Sequence, residues 1–278
     1  MMSANRIFAR LCAVLATLVA AAELSGAESA LSRFKYGSRI VCSGEYSGNL
    51  QGIATDGEAI YWSFTRELVK TDLRGRIIIR RRIPRHGGDP CWYAGKLYLP
   101  VCESGFNRRL APGTVSRNHI YVFDADLRIL AKHHIPEVEF GAGGIAARDG
   151  HFFVVGGRPK GMRGNTVYEY DGDFKLVRRH ELAFDSYKGI QTINFAFGKW
   201  YFGCYGTDRM TIETDAEFRV TRRLRPGVAV GMIPLANDLI LVAHITKGRV
   251  HSRSSGFAKA VRFTAPPPVR KDAPPPER

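Results

Sequence analysis

The sequence is short of the features that usually announce a chemistry. Its five cysteines (Cys12, Cys42, Cys91, Cys102 and Cys204) are scattered over 278 residues, and no two form a C-x-x-C pair. That excludes a zinc ribbon, a thioredoxin-type site and a small disulfide framework. No HExxH, P-loop, GxSxG or EF-hand loop occurs. The run Gly141-Ala142-Gly143-Gly144-Ile145-Ala146 matches a dinucleotide pattern, but that pattern needs a helix after it and a strand hairpin follows instead. Acidic residues are also scarce, with 26 Asp and Glu against 41 Lys and Arg, a net charge of +15. Beyond residue 22 no apolar run is long enough to cross a bilayer as a helix.

What is present begins at the ends. Arg6 and Arg10 precede an apolar run over residues 11–22, and Ser25-Gly26-Ala27 supplies small residues for cleavage. This predicts a signal peptide over residues 1–27, a mature chain from about Glu28, and a secreted or periplasmic protein with no integral membrane segment after cleavage. Residues 265–278 repeat Pro-Pro-Pro among charges and read as a disordered tail. Residues 28–264 remain for one domain.

That domain repeats. "QGIATDGEAIYWSF" at Gln51, "GDPCWYAGKLYLPV" at Gly88, "GGIAARDGHFFVVG" at Gly143, "QTINFAFGKWYFGC" at Gln191 and "GMIPLANDLILVAH" at Gly231 are each two apolar strands around a tight turn. The turns are Asp56-Gly57, Ala94-Gly95, Asp149-Gly150, Phe197-Gly198 and Asn237-Asp238, mostly the glycine-containing pairs of hairpins. A second hairpin follows at Leu68, Ile120, Val167 and Met210, with Asp72, Asp124, Asp171 and Asp215 at the same turn position. There a carboxylate bonds the backbone two residues on. Four-stranded units at this spacing predict an all-β, five-bladed β-propeller, its strands A to D running from the axis outward. The fifth unit keeps only "AKAVRF" at Ala258 as a C strand, so "SRIVCSG" at Ser38 is expected to supply its D strand, closing the ring with both termini. Cys102 and Cys204 then end equivalent B strands of non-adjacent blades, which suggests free thiols.

This strand order puts the tight A–B and C–D turns on one face and every long connection on the other. The long ones span residues 103–118, 157–165, 134–142 and 183–188, and loops grown from one face of a rigid scaffold are where binding sites sit. A strands start there at Gln51, Asp89, Gly144, Thr192 and Met232, and B strands end there at Thr65, Cys102, Gly157, Tyr205 and His244. Gln51, His86, Asp89 and Gln191 are candidate ligand contacts, with hydrogen bonding to the loops as the structural alternative. Arg66 and Arg158, just past B strands, and Tyr205 join them; Glu103 and Asp208 lie nearby. His86, Asp89, Tyr205 and His244 are the candidates for proton transfer, since histidine titrates near neutrality.

The basic residues fall into two sets. Arg76, Arg80, Arg81, Arg82, Arg128, Lys132, Lys175, Arg178, Arg179, Arg219, Arg222 and Arg223 lie on D strands, where positive side chains block edge-to-edge pairing. Arg66, Arg85, Arg108, Arg109, Arg117, Arg158, Lys160, Arg163, Lys188, Arg209, Lys247 and Arg249 lie on the loop face. A positive rim concentrates anions, and the planar guanidinium suits carboxylate and sulfate; a merely solvated basic surface is the alternative. Nucleic acid is not expected for an exported chain with no nucleic-acid motif. Asp89 is the one carboxylate at an A-strand start, which argues against a two-carboxylate glycosidase. No cofactor is called for, and Asp89 with Gln51 and Gln191 is a thin ligand set for calcium in the channel. Uronate β-elimination needs a cation and a base, roles open to arginine, His86, Tyr205 and His244.

"LQGIATDG" at Leu50 and the recurring Asp-x-x-Phe/Leu-Arg/Lys turns resemble exported bacterial propellers of NHL and SMP-30-like type. Leu50-Gln51-Gly52-Ile53 also looks like the opening strand of glutamine-cyclotransferase-type five-bladed propellers. The resemblance implies a similar ring over residues 39–263 and carries no activity, because those cyclases place an acidic residue where this chain reads Gly-Asp-Pro and Gly-Gly-Ile. The expectation is a monomeric propeller binding a small or polymeric anionic ligand, such as a glycan, over the channel. A polysaccharide lyase or hydrolase and a protein-interaction scaffold are the alternatives.

Overall fold

The computed structural model describes residues 30–205, 210–236, 238–248 and 252–265. The leader reading, the tail after Ala265, and Asp208, Arg209, Asn237 and Arg249 lie outside these. The described chain forms twenty strands in five four-stranded antiparallel sheets. Strand β1 (Arg39–Ser47) comes first. The first blade is β2 (Leu50–Thr55), β3 (Ala59–Phe64), β4 (Glu67–Asp72) and β5 (Ile77–Arg82). The second is β6 (Cys91–Tyr93), β7 (Lys96–Cys102), β8 (Asn118–Phe123) and β9 (Ile129–His134). The third is β10 (Ala142–Arg148), β11 (His151–Gly156), β12 (Asn165–Tyr170) and β13 (Leu176–Leu182). The fourth is β14 (Tyr187–Ala196), β15 (Lys199–Tyr205), β16 (Thr211–Thr214) and β17 (Val220–Leu224). The fifth is β18 (Met232–Pro234), β19 (Leu239–Lys247) and β20 (Arg253–Arg262), completed by β1. The fold is the expected five-bladed propeller.

Strand β1 pairs antiparallel with β20, Arg39 opposite Lys259 and Ser47 opposite Arg253, so both ends of the chain close one blade. β20 starts at Arg253, five residues before the expected Ala258. The edge that would otherwise remain open is thereby paired.

Tight turns hold the hairpins. At Ala94-Gly95, Asp149-Gly150 and Phe197-Gly198 both residues have positive φ, the geometry that matches strand twist in a two-residue hairpin. The C–D turns share one device. The carboxylate of Asp124 accepts the N–H groups of Asp126 (2.9 Å) and Arg128 (2.7 Å), and Asp72, Asp171 and Asp215 do the same in their blades. One residue before the second donor, Leu127, Phe174 and Phe218 hold positive φ, and Gly75 fills that place in the first blade. Left-handed backbone is unfavourable for bulky side chains; burial of all three offsets the strain.

Five apolar clusters fill the ring, one at each joint between neighbouring blades. The joint of the third and fourth blades packs Phe153 against Trp200, ring centroids 4.6 Å apart, with Phe218 beside them. Aromatic side chains of this size dominate core energetics. Each blade is therefore held by two joints. The described cysteines, Cys42, Cys91, Cys102 and Cys204, are free thiols.

Candidate functional site

The inner ends of the A strands approach one another closely at Asp89. The Asp89 N–H donates to the Gly143 carbonyl (2.7 Å) and its own carbonyl accepts from Ile145 N–H (3.1 Å). Asp89 thus pairs in parallel with Gly144 of the next blade. Pro90, lacking an N–H, precedes the short β6. The Asp89 side chain crosses to the first blade, where Oδ1 accepts from Ile53 N–H at 3.2 Å. A Cβ on Gly52 would lie 2.2 Å from that oxygen, one on Gly231 2.8 Å from it, and one on Gly88 2.2 Å from the Gly143 carbonyl oxygen. Only glycine permits this approach.

Asp89 is 1 % exposed. Burial pushes its carboxyl well above the ordinary aspartate value, opposed by the Ile53 N–H and by the nearby Asn194 amide. The Asn194 Nδ2 nevertheless makes no hydrogen bond of ordinary geometry among the described residues. No described cation pairs with Asp89, so its neutral form is favoured, as for any carboxyl removed from water without a counter-charge. Asp89 therefore acts as a strut joining inner strands, closed to ligand from outside.

His86 sits between the first and second blades with φ 55°. Its ring stacks on Phe106, centroids 4.8 Å apart and 11° from parallel. Its carbonyl accepts from Cys102 N–H at 3.0 Å. Burial, then Arg85, lowers its pKa, and Nδ1 has no hydrogen-bond partner among the described residues. Both effects favour the neutral ring. Phe106 comes from the long loop of the second blade and also packs over Gly141 and Gly143. It ties that loop to the start of the third blade's A strand; within the loop nothing in the sequence distinguishes it from its neighbours.

The other candidates are spread out. Gln51 is buried and its amide donates to Thr65 Oγ1 at 3.3 Å. Gln191 is buried with Nε2 unbonded among the described residues, while the backbone beside it crowds Gly143 and Gly144. Arg158 anchors its own loop, donating to the Arg163 carbonyl (2.8 Å) and Thr166 Oγ1 (3.4 Å). Tyr205 is half-buried and pairs across the sheet with Tyr187, which is exposed. His244 stacks on Phe257 at 4.8 Å, remote from His86 in the chain and on the fifth blade; burial, Lys259 and Arg39 lower its pKa. Arg66 is exposed. No group of three His, Cys, Asp or Glu among the described residues is placed to hold a metal ion.

Ion pairing separates the D strands from the loop face. On the D strands Arg76, Arg80, Arg128, Lys132, Arg219 and Arg222 are in ion pairs, with Asp72, Glu67, Asp124, Glu103, Asp215 and Glu213 among their partners. Arg81, Arg82, Lys175, Arg178, Arg179 and Arg223 have no ion pair among the described residues. On the loop face Arg163 pairs with Asp185 at 3.1 Å. Among the described residues no carboxylate pairs with Arg66, Arg85, Arg108, Arg109, Arg117, Arg158, Lys160, Lys188 or Lys247. Lys188 lies 5.2 Å over the Tyr187 ring, adding an exposed aromatic to this basic surface.

No family model matches the chain, and no curated protein matches it in sequence. Solved structures are similar to it in fold. Glutaminyl cyclase from Myxococcus xanthus superposes with a TM-score of 0.52 at 13 % identity, covering 82 % of this chain and 100 % of that one. A GH43_1 enzyme from Xanthomonas citri, solved with xylose, gives 0.56 at 14 % identity, covering 90 % and 99 %. At these identities the likeness is one of architecture. It agrees with the fold-level resemblance drawn from the Leu50 strand, and it shows a propeller whose structural neighbours include enzymes.

Proposed function

We propose that the protein is an exported binding protein for an anionic glycan, which lies across the loop face. The observation that carries this reading is the set of described loop-face cations that, Arg163 apart, have no described carboxylate partner, beside D-strand cations of which half are paired. A positive surface raises the local concentration of anions, and arginine holds carboxylate and sulfate through two parallel bonds. The exposed Tyr187 next to Lys188 offers a flat apolar face to a sugar ring. Asp89 is buried among the inner strands, so contact is assigned to the loops around it. An export signal read in the N-terminal residues supports an extracellular or periplasmic encounter.

The test is binding of heparin fragments and oligogalacturonate to the parent protein and to a variant carrying Arg66→Ser, Arg85→Ser, Arg108→Ser and Arg109→Ser. Exposed charge contacts contribute roughly 0.2–1 kcal/mol each, so together the four changes are expected to weaken binding by about tenfold or more. Unchanged affinity in the variant, or no affinity in the parent, overturns the reading. Product analysis of the same mixtures separates binding from cleavage: shortened or unsaturated oligosaccharides would replace the binding protein by a glycan-processing enzyme.

A further inference from the structure

A groove lies on the flank of the ring, at the joint of the fourth and fifth blades. After β20 the chain crosses from the fifth blade to the fourth, where Thr264 and Arg225 exchange two backbone hydrogen bonds of 2.8 and 2.9 Å. The groove beside this crossing has a volume of about 780 Å³, within the roughly 300–1,000 Å³ usual for binding sites. Phe263 forms one side, stacked on the buried Tyr201 with centroids 5.0 Å apart and planes 7° from parallel. Phe197, 45 % exposed, stands edge-on to Tyr201 at 6.5 Å. Ala265, exposed just past the crossing, also lines the groove.

The floor offers donors and withholds acceptors. Glu213, whose side chain is fully buried, accepts from Arg222 (2.7 and 2.9 Å), Lys199 (3.0 Å) and Thr221 Oγ1 (2.6 Å). The Tyr201 hydroxyl bonds Glu213 as well. Both oxygens of Glu213 are therefore taken. Lys199 and Arg222, their side chains 37 % and 59 % exposed, keep N–H groups to spare. Asp238, on the A–B turn of the fifth blade, lines the groove and pairs with no described cation.

We propose that this groove is a docking surface for the proline-rich segment of the same chain, residues 266–278. That segment reads Pro-Pro-Pro-Val-Arg-Lys-Asp-Ala-Pro-Pro-Pro-Glu-Arg and follows Ala265 directly. Proline has no N–H to donate, and a run of prolines favours an extended backbone whose carbonyls have no internal partner. It therefore brings acceptors and apolar ring faces. The groove presents the converse, aromatic faces above a floor of donors. Aromatic-lined grooves recur as receptors for proline-rich segments. An ordinary segment, with an N–H on every residue, would find the Glu213 acceptors occupied. Arg270 and Lys271, two and three residues past the first proline run, supply a cation for Asp238.

No loop-face residue takes part, so this proposal and the glycan reading fail separately. The isotope-labelled full chain is compared by NMR with a variant carrying Pro266→Ser, Pro267→Ser, Pro268→Ser, Pro274→Ser, Pro275→Ser and Pro276→Ser. In the variant the amide resonances of Gly198, Lys199 and Tyr201 are expected to shift, while those of the Asp124 turn on the second blade stay in place. A synthetic peptide of residues 266–278, added to the variant, is expected to return them towards the parent positions. Phe197 holds φ 52°, so Phe197→Asn removes the ring with a residue that tolerates left-handed backbone. Added to the proline variant, that change is expected to weaken peptide binding about fivefold or more, the cost of losing an aromatic anchor. Groove resonances unmoved by the proline substitutions, or untouched by the peptide, overturn the proposal. So does undiminished peptide affinity with Phe197→Asn. Groove resonances of the parent that move on dilution also overturn it, because the occupant is then the segment of a second copy.

Discussion

The two faces of the ring are built from the same strands yet differ in kind. On the turn face each blade repeats itself: a tight A–B turn and, in four blades, an aspartate gathering two N–H groups before a left-handed residue. On the loop face no two blades agree. The second sends out residues 103–117 and ties them to the third blade through Phe106, the third anchors its loop through Arg158 and Asp185, and the first crosses from β3 to β4 in two residues. Repetition marks what folding needs from every blade; divergence marks where the scaffold leaves the connections free to differ. Ion pairs occur on both: Arg76, Arg128 and Arg219 pair at the turns, while Lys132 with Glu103 and Arg163 with Asp185 pair at the loops.

The largest effect should come from breaking what both faces share. Gly88→Ala would put a methyl 2.2 Å from the Gly143 carbonyl oxygen. Overpacking at backbone that cannot move destabilises by about 3 kcal/mol, read as a lowered midpoint in urea unfolding, with ligand binding lost in proportion to folding. Next comes the fourfold loop-face arginine variant, which should lose binding while its unfolding midpoint stays within about 0.5 kcal/mol of the parent.

Asp124→Ala should do the reverse. It removes two side-chain to backbone bonds from a turn and should destabilise by about 1 kcal/mol with binding intact. Asp124→Asn, which keeps the acceptor, should recover most of the loss.

The smallest effect is a slope with pH. Asp89 has a folded pKa raised above its unfolded value near 3.8. The folded state therefore holds a proton that the unfolded state has released. Its contribution is full below 3.8 and declines as pH rises through the folded pKa. Asp89→Asn removes that decline. The thermal midpoint of the variant relative to the parent should climb with pH from about 4 upward; a constant difference would show that Asp89 is charged in the fold.

What could be read in the sequence was local. The A–B turn pairs and the turn aspartates act within five residues of themselves, so strand count, blade number and terminal closure followed from spacing. Asp89 was visible as a lone carboxylate but not as a buried strut, because Gly52, Gly143 and Gly231 that enclose it come from three other blades. The flank groove joins Tyr201, Glu213 and Phe263, residues up to 62 positions apart, through a chain crossing that no periodicity announces. Loop-face cations were legible as a set. Their lack of partners needed the positions of the carboxylates.

The most direct test of the central claim is a salt series. Affinity for a heparin fragment is measured on the parent and the loop-face arginine variant from low to high ionic strength. If unpaired loop-face cations hold the ligand, the parent loses affinity steeply as salt screens them and the variant loses much less. Equal slopes for the two proteins, or a parent affinity that does not respond to salt, would contradict the account.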